Sequence, residues 1–311
     1  MDDIFEESWS EDHRSGVVAV VGRPNVGKST LINRILGQKI AIVTNKPQTT
    51  RKQQLGIYTE ERGQILFVDT PGIHQPHHKL GQYMVDVAYE ALRDADVILW
   101  LLDASEPPHQ DDRQIATHIA ELRGETPVIL VLNKMDLVTA DADLSEHLNL
   151  IENPHQVIKI SAAAGENIPE LIDYLIDILP KGPRYYPSDQ VSEVNMRFIA
   201  AEIIREAIIE LTEEEIPYTV AVEVDQYKER NEDLTYISAI IYVERDSQKG
   251  IIIGKNGTMI KQIGTKARQE LSNVLGTKVY LDLHVKVLKN WRSDERFMNR
   301  LGYRLPKKDE R

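Results

Sequence analysis

Five short apolar runs recur between residues 17 and 179, separated by stretches with helical periodicity: VVAVV (17–21), QILFV (64–68), VILWLL (97–102), PVILVL (127–132) and QVIKI (156–160). A run that is apolar at consecutive positions has no face to give to solvent, so each predicts a strand covered on both sides. Such strands alternating with helices predict a doubly wound α/β domain with a largely parallel sheet, which binds ligands at the carboxyl ends of its strands. The pattern breaks at PKGPRYYPSD (180–189), which puts three prolines and a glycine into ten residues. That composition stops a helix and stiffens the chain. The expected organisation is an acidic tail over 1–15, a first domain over 16–180, a linker over 181–190 and a second domain over 191–311.

Beyond the linker the pattern predicts a helix over about 193–211 and two alternating strands, VAVEVDQY (220–227) and TYISAIIYVE (235–244). A glycine-bearing turn follows. Met259, Ile260, Ile263, Ala267, Leu271, Val274 and Leu275 then repeat at i, i+3 and i+4, the stripe of an amphipathic helix. KVYLDLHVKVL (278–288) predicts a further strand, and a last helix is expected near 291–301. The second domain is therefore α+β.

Length and composition are consistent with two globular domains: 311 residues, 41% hydrophobic and 28% charged. The chain has no cysteine, which excludes disulfides and thiolate metal sites and fits a reducing compartment. The six residues Val97 to Leu102 fall far short of the roughly 20 that a membrane-spanning helix needs. The first residues, MDDIFEESWSED, are acidic where targeting segments begin basic, so a cytoplasmic location is expected.

Net charge is −12 but unevenly spread. Residues 247–311 hold 15 lysines and arginines against 6 aspartates and glutamates, whereas residues 1–246 hold 22 against 43. A polyanionic partner would therefore be confined to the C-terminal part. An ordinary solvated surface explains the charge alone equally well.

The chemistry begins after the first strand, where GRPNVGKST places Gly22, Arg23, Pro24, Asn25, Val26, Gly27, Lys28, Ser29 and Thr30 between strand and helix. The G-x-x-x-x-G-K-S spacing is that of a phosphate-binding loop. Glycines let backbone amides face a β-phosphate, the helix N-terminus adds positive potential, Lys28 neutralises β/γ oxygens and the Ser29 hydroxyl ligates Mg²⁺. This loop alone does not separate ATP from GTP. DTPG follows the strand QILFV and supplies Asp69, Thr70, Pro71 and Gly72. Asp69 would support the metal's water shell and the Gly72 amide would reach a γ-phosphate. In isolation such a run is a turn, but it stands 40 residues after Ser29.

NKMD, at the end of PVILVL, carries the base reading. The Asp136 carboxylate can accept from guanine N1–H and the 2-amino group together, a donor pair that adenine lacks. Asn133 and Lys134 would brace loops and cover the base. In Ser161, Ala162 and Ala163, the Ala162 amide is expected to donate to guanine O6. Acceptors left without donors are penalised beyond the lost contact, so adenine should be rejected strongly. A metabolic kinase or ATPase reading has no use for NKMD.

With these four boxes in order, the chain resembles the TRAFAC-class GTPases, and GRPNVGKST, QTTR (48–51) and DTPGIH (69–74) are similar to the branch containing Era, EngA and TrmE. The resemblance implies that Thr50, rather than Thr49, meets Mg²⁺ and γ-phosphate, making Ser29, Thr50 and Asp69 the metal residues. It also implies that Asn25 holds a potassium ion beside the phosphates, so that Lys28, Asn25, Thr50 and Gly72 form the catalytic set. Ile73 occupies the place of the water-orienting glutamine of Ras-like enzymes, so unaided turnover should be slow. His74 is a candidate to position water, although a packing or solvated histidine is the more ordinary reading. His77 and His78 are adjacent and do not form a metal pair.

In GIIIGKNG (250–257), Gly254, Lys255, Asn256 and Gly257 lie between an apolar run and the amphipathic helix that bears Lys261, Lys266 and Arg268. A lone GxxG is often a capping turn. Its setting here is similar to a type II KH domain, in which two glycines admit the sugar-phosphate chain and a lysine adds charge. A GTPase domain followed by one KH domain is the Era-type layout. It implies GTP and GDP as ligands, binding to small-subunit ribosomal RNA near its 3′ end and action on the 30S subunit during assembly. Nucleotide state would reshape segments 38–58 and 72–90. A monomer is expected. Two alternatives stay open: C-terminal docking to a protein or membrane partner, and peripheral contact with the cytoplasmic face of the inner membrane.

Overall fold

The computed structural model describes residues 9–44, 46, 49–73, 76, 78–193, 195–231 and 233–304. Contacts divide the chain into two compact units: residues 1–41, 50–75 and 84–193, and residues 42–49, 76–83 and 194–311. The proposed tail over 1–15 lies outside the described residues up to residue 8, and its end enters the first strand.

In chain order the first unit contains β1 (Arg14–Val21), α1 (Lys28–Leu36), β2 (Gln54–Thr59), β3 (Gly63–Asp69), α2 (Lys79–Asp94, begun by residues of the second unit) and β4 (Val97–Asp103). It continues with α3 (Gln110–Leu122), β5 (Val128–Asn133), α4 (Ser145–Leu148), β6 (Gln156–Lys159) and α5 (Ile168–Ile178). The six strands run in the order β2-β3-β1-β4-β5-β6. All neighbours are parallel except β2, which is antiparallel to β3.

Every residue of β3, β4 and β5 is buried, as expected of strands covered on both faces. The alternation of side chains sorts them into two cores. Val18, Val20, Leu99, Leu101, Ile129 and Val131 pack with α1 and α5. Ala19, Val21, Ile98, Trp100, Leu102, Val128 and Leu130 pack on the other side with α2 and α3. The sheet is doubly wound, and β1, β3, β4 and β5 end at a common edge where the motifs lie.

Two segments hold more structure than the sequence pattern showed. Part of segment 38–58 is the regular strand β2, whose QLGIYT mixes polar residues and a glycine and so lacks an apolar run. The segment 181–190, expected to be a stiff linker, is hydrogen-bonded to β3, and the residue after it to β2. Gln64 Oε1 accepts the amides of Tyr185 (2.8 Å) and Tyr186 (3.0 Å), and the Ile57 amide donates to Val191 O at 2.8 Å.

The second unit contains α6 (Met196–Leu211), α7 (Ile216–Thr219), β7 (Ala221–Asn231), β8 (Leu234–Val243), α8 (Asp246–Ile253), α9 (Thr258–Leu275), β9 (Lys278–Val287) and α10 (Glu295–Arg300). Its sheet has the order β7-β8-β9, with β8 antiparallel to β7 and parallel to β9. Ile203, Ile204 and Ile208 of α6 and Ile263, Ala267 and Leu271 of α9 pack with Ile237, Ala239 and Ile241 on one face of that sheet. Within the same unit, Lys46 Nζ donates to Ile209 O at 2.7 Å and the Val43 amide to Glu206 Oε1 at 3.0 Å.

The apolar run before the GxxG is a helix, α8, which the sequence pattern did not separate from a strand. Gln248 Oε1 accepts the Glu244 and Arg245 amides at its start (2.9 and 3.0 Å), and Ile252 is fully buried. The final helix is also shorter than expected: a single 3-10 turn, Trp291–Ser293, precedes α10, and Asp294 caps it.

Candidate functional site

α1 opens at Lys28, immediately after Gly27 in the left-handed region (φ 101°), so the amides of the preceding loop converge on the helix N-terminus. Lys28 Nζ donates to Gly22 O and Arg23 O, both at 2.9 Å. Burial lowers its ammonium from the ordinary 10.5 to about 8, against the opposite pull of Asp69.

Ser29, Thr50 and Asp69 are brought together. Ser29 Oγ lies 2.8 Å from Asp69 Oδ2 and 3.0 Å from Thr50 Oγ1, and Thr50 Oγ1 lies 3.4 Å from the same carboxylate oxygen. Thr49 points elsewhere, its hydroxyl 2.9 Å from that of Thr44. Asp69 Oδ1 is buried and, among the described residues, has no hydrogen-bond partner. Burial raises the Asp69 pKa, opposed by Lys28, Ser29 and Thr50. Three hard oxygen donors and one buried unmatched carboxylate oxygen fit Mg²⁺ with part of its water shell.

The DTPG turn lies against the phosphate loop. A Cβ at Gly72 would stand 2.8 Å from both the backbone N and Cγ of Pro24, so only glycine allows this approach. Thr70 Oγ1 donates to Val20 O at 2.8 Å and holds Pro71 and Gly72 at the end of β1. Ile73 is buried in the core of the α2–α3 face, which removes it from any chemistry with water. His74 lies outside the described residues.

Asn133 is a cross-brace. Its Nδ2 donates to Val26 O at 2.7 Å and its Oδ1 accepts the Ala162 amide at 2.9 Å. The Ala162 amide, expected at guanine O6, is thus used within the protein, and Ala163 is the next residue of that loop. Asp136 is exposed in the 3-10 turn Met135–Leu137, and Ser161 Oγ donates to its Oδ1 at 2.5 Å. Arg34 Nε donates to Ala162 O at 3.2 Å and fixes the loop from α1. Asn25 is exposed in a left-handed conformation (φ 67°), and Val26 is buried beside it.

Two roles were not legible from spacing. Lys134 Nζ pairs with Asp103 Oδ2 at 2.5 Å; burial raises that carboxyl's pKa, but the hydrogen bonds from Lys134 and Ser105 outweigh it and hold it below the ordinary range. Arg23 turns its side chain from the phosphate loop toward Asp112 (3.1 Å), Glu106 and Asp103 (3.8 Å), so only its backbone belongs to the loop. Gln54 was also missed. It pairs in register with Asp69, and both of its side-chain amide atoms are buried with no partner among the described residues.

In the second unit, Gly254 (φ 72°), Asn256 (φ 54°) and Gly257 (φ 75°) turn the chain between α8 and α9. A Cβ on Gly254 would stand 2.7 Å from Met259, whereas Gly257 has open space around it. Lys255, Asn256 and Lys261 are exposed. Lys266 instead pairs with Glu210 at 2.6 Å.

Residues 17–134 match the family described as 50S ribosome-binding GTPase, and residues 215–292 match the KH domain. Two solved structures are similar over nearly the whole chain. One is Era in complex with MgGDPNP and nucleotides 1506–1542 of 16S ribosomal RNA, 40% identical, with a TM-score of 0.86, covering 94% of this chain and 100% of that one. The other is a point variant of Aquifex aeolicus Era bound to GDP and AlF4⁻, with the same identity, TM-score and coverage.

Proposed function

Since this chain belongs to the Era family, GTPases that carry a C-terminal KH domain, we propose that it uses GTP hydrolysis to time its binding to small-subunit ribosomal RNA during 30S assembly. The observation that carries the nucleotide reading is the convergence of Ser29, Thr50 and Asp69 beside the loop of Lys28. Lys28 neutralises β/γ oxygens, the Gly72 amide meets the γ-phosphate, and Asp136, held by Ser161, reads the guanine edge. Ser29, Thr50 and Asp69 would hold Mg²⁺, which would offset the negative charge that develops on the phosphates. Asn25 would hold potassium, a charge in the place of an arginine finger.

Ile73 cannot orient water, so unassisted turnover is slow and the enzyme behaves as a timer. The GxxG loop and the exposed Lys255 and Lys261 support a groove that takes a single-stranded segment near the RNA 3′ end. In this reading the protein acts as a monomer in the cytoplasm and any membrane contact is peripheral. No helix among the described residues is long and apolar enough to cross a bilayer.

The test is binding of a labelled 3′-terminal small-subunit RNA to the full chain with GDP or a non-hydrolysable GTP analogue. Affinity should change with the nucleotide and fall steeply with salt. Equal affinity in both nucleotide states would overturn the timer. Protein or membrane binding without salt-sensitive RNA binding would overturn the RNA role.

A further inference from the structure

The side of the β7–β8–β9 sheet turned away from α6 and α9 carries a row of groups that the GxxG groove does not use. Tyr236 on β8 and Tyr280 on β9 are register partners, and their rings stack at 5.8 Å with planes 22° apart. Arg230 on β7 places its guanidinium 4.9 Å from the centre of the Tyr236 ring. The row thus crosses all three strands, from a cation through one ring to a second.

Tyr280 is 63% exposed on the edge strand, unusual for a large ring. Lys228 is the register partner of Tyr236 on β7, and Lys278 lies on the same side of β9 as Tyr280, two residues before it. Among the described residues none of Lys228, Arg230 and Lys278 forms an ion pair. The acidic groups on this side lie near other partners: Glu223 meets Arg300 (3.3 Å) and the Tyr242 hydroxyl (2.8 Å), Asp225 acts on Tyr242, and Asp282 lies 3.3 Å from His284. The surface offers stacking area beside three cations that have no ion-pair partner among the described residues.

We propose that this face is a second RNA-binding surface, on which an unpaired base stacks against Tyr280 while Lys228, Lys278 and Arg230 meet the flanking phosphates. Stacked aromatic rings with cations at their margins suit a single strand of any sequence, because every base has a π-face. A protein partner would be expected to meet an apolar centre rather than a row of cations. The path is short in topological terms. α9, which starts at the GxxG, packs beside β9 with Leu283 Cδ1 near Gly264, and β9 is the sheet edge. A strand leaving the groove therefore needs only to round β9 to reach Tyr280.

The proposal rests on the reading of this unit as an RNA-binding domain, and the test separates the two. Full-length protein is titrated with two fluorescein-labelled single-stranded RNAs of small-subunit 3′-end sequence, one of about 6 nucleotides, enough for a KH groove, and one of about 20. Tyr280→Ala should weaken the long RNA about tenfold, within the range for loss of one stacked base, and leave the short one unchanged. Tyr280→Phe should bind as the parent does, and GTP turnover and melting temperature should hold in both variants. If Tyr280→Ala binds long RNA normally while a GxxG variant does not, the platform is overturned and the groove stands. If the parent binds neither RNA, both readings fall. Loss of co-sedimentation with small ribosomal subunits at unchanged RNA affinity would mean a protein partner and would also overturn the proposal.

Discussion

Ser29 and Thr50 place their hydroxyl oxygens 3.0 Å apart although 21 residues separate them, and both lie within reach of Asp69 Oδ2. Asp69→Asn keeps the shape of this corner but removes its charge. The Mg²⁺ concentration for half-maximal GTP hydrolysis should rise about tenfold or more, the usual effect of losing a group that orients a metal's shell. An unchanged Mg²⁺ titration would remove Asp69 from the metal site.

Lys28 makes nucleotide binding depend on pH. Its folded pKa of about 8 lies below the ordinary 10.5, so between these values the unfolded chain binds more protons, and the stability contribution of this group rises with pH across that window. Bound phosphates favour the ammonium and reverse the shift. At pH 8 binding should therefore take up about half a proton, measured by calorimetry in two buffers of different ionisation enthalpy. Lys28→Met should abolish the uptake; equal uptake in the variant would assign it to another group.

Asp136→Asn exchanges an acceptor for a donor opposite the guanine N1–H and 2-amino group. GTP affinity should fall about 100-fold, the scale of about 3 kcal/mol for a charged hydrogen-bonded pair, and xanthosine triphosphate should become the preferred ligand. Retained guanine preference in a competition assay would refute the base-reading role.

The two glycines of the GxxG should not respond alike. Gly257→Asp meets no neighbour and is strained only by its φ of 75°, so it should weaken RNA binding about tenfold or more at unchanged GTP turnover with a small loss of melting temperature. Gly254→Asp adds a clash of its Cβ with Met259 to the same backbone strain and should lower the melting temperature further. Equal melting shifts in both would point to a structural loop.

Exchange of sodium for potassium tests Asn25. Turnover should fall at least tenfold in sodium, and Asn25→Ala should be slow in either salt. A parent enzyme indifferent to the cation would reject the potassium role.

The doubly wound sheet was legible because VILWLL and PVILVL have no polar position for a solvent face, and the motifs because each sits at the end of such a run. β2 was not, since an edge strand packed on one neighbour tolerates Gln54 and Gly56. In α8, three consecutive isoleucines read equally as strand, and only the Gln248 cap and the burial of Ile252 decide for helix. Arg23 was counted with the nucleotide-binding residues because it lies inside the loop motif. Its partner Asp112 stands 89 residues away and carries no motif. The hydrogen bond from the Ala162 amide to Asn133 was not legible because Asn133 was read as a brace without a stated partner.

The double engagement of Asn133, to Val26 O and to the Ala162 amide, makes the phosphate cradle and the purine-reading loop one mechanical part. A shift of one would pull on the other, so a misfit at the ring should be felt at the triphosphate. Selectivity should then extend beyond residence time, with a wrong purine expected to slow the reacting end as well as to bind weakly.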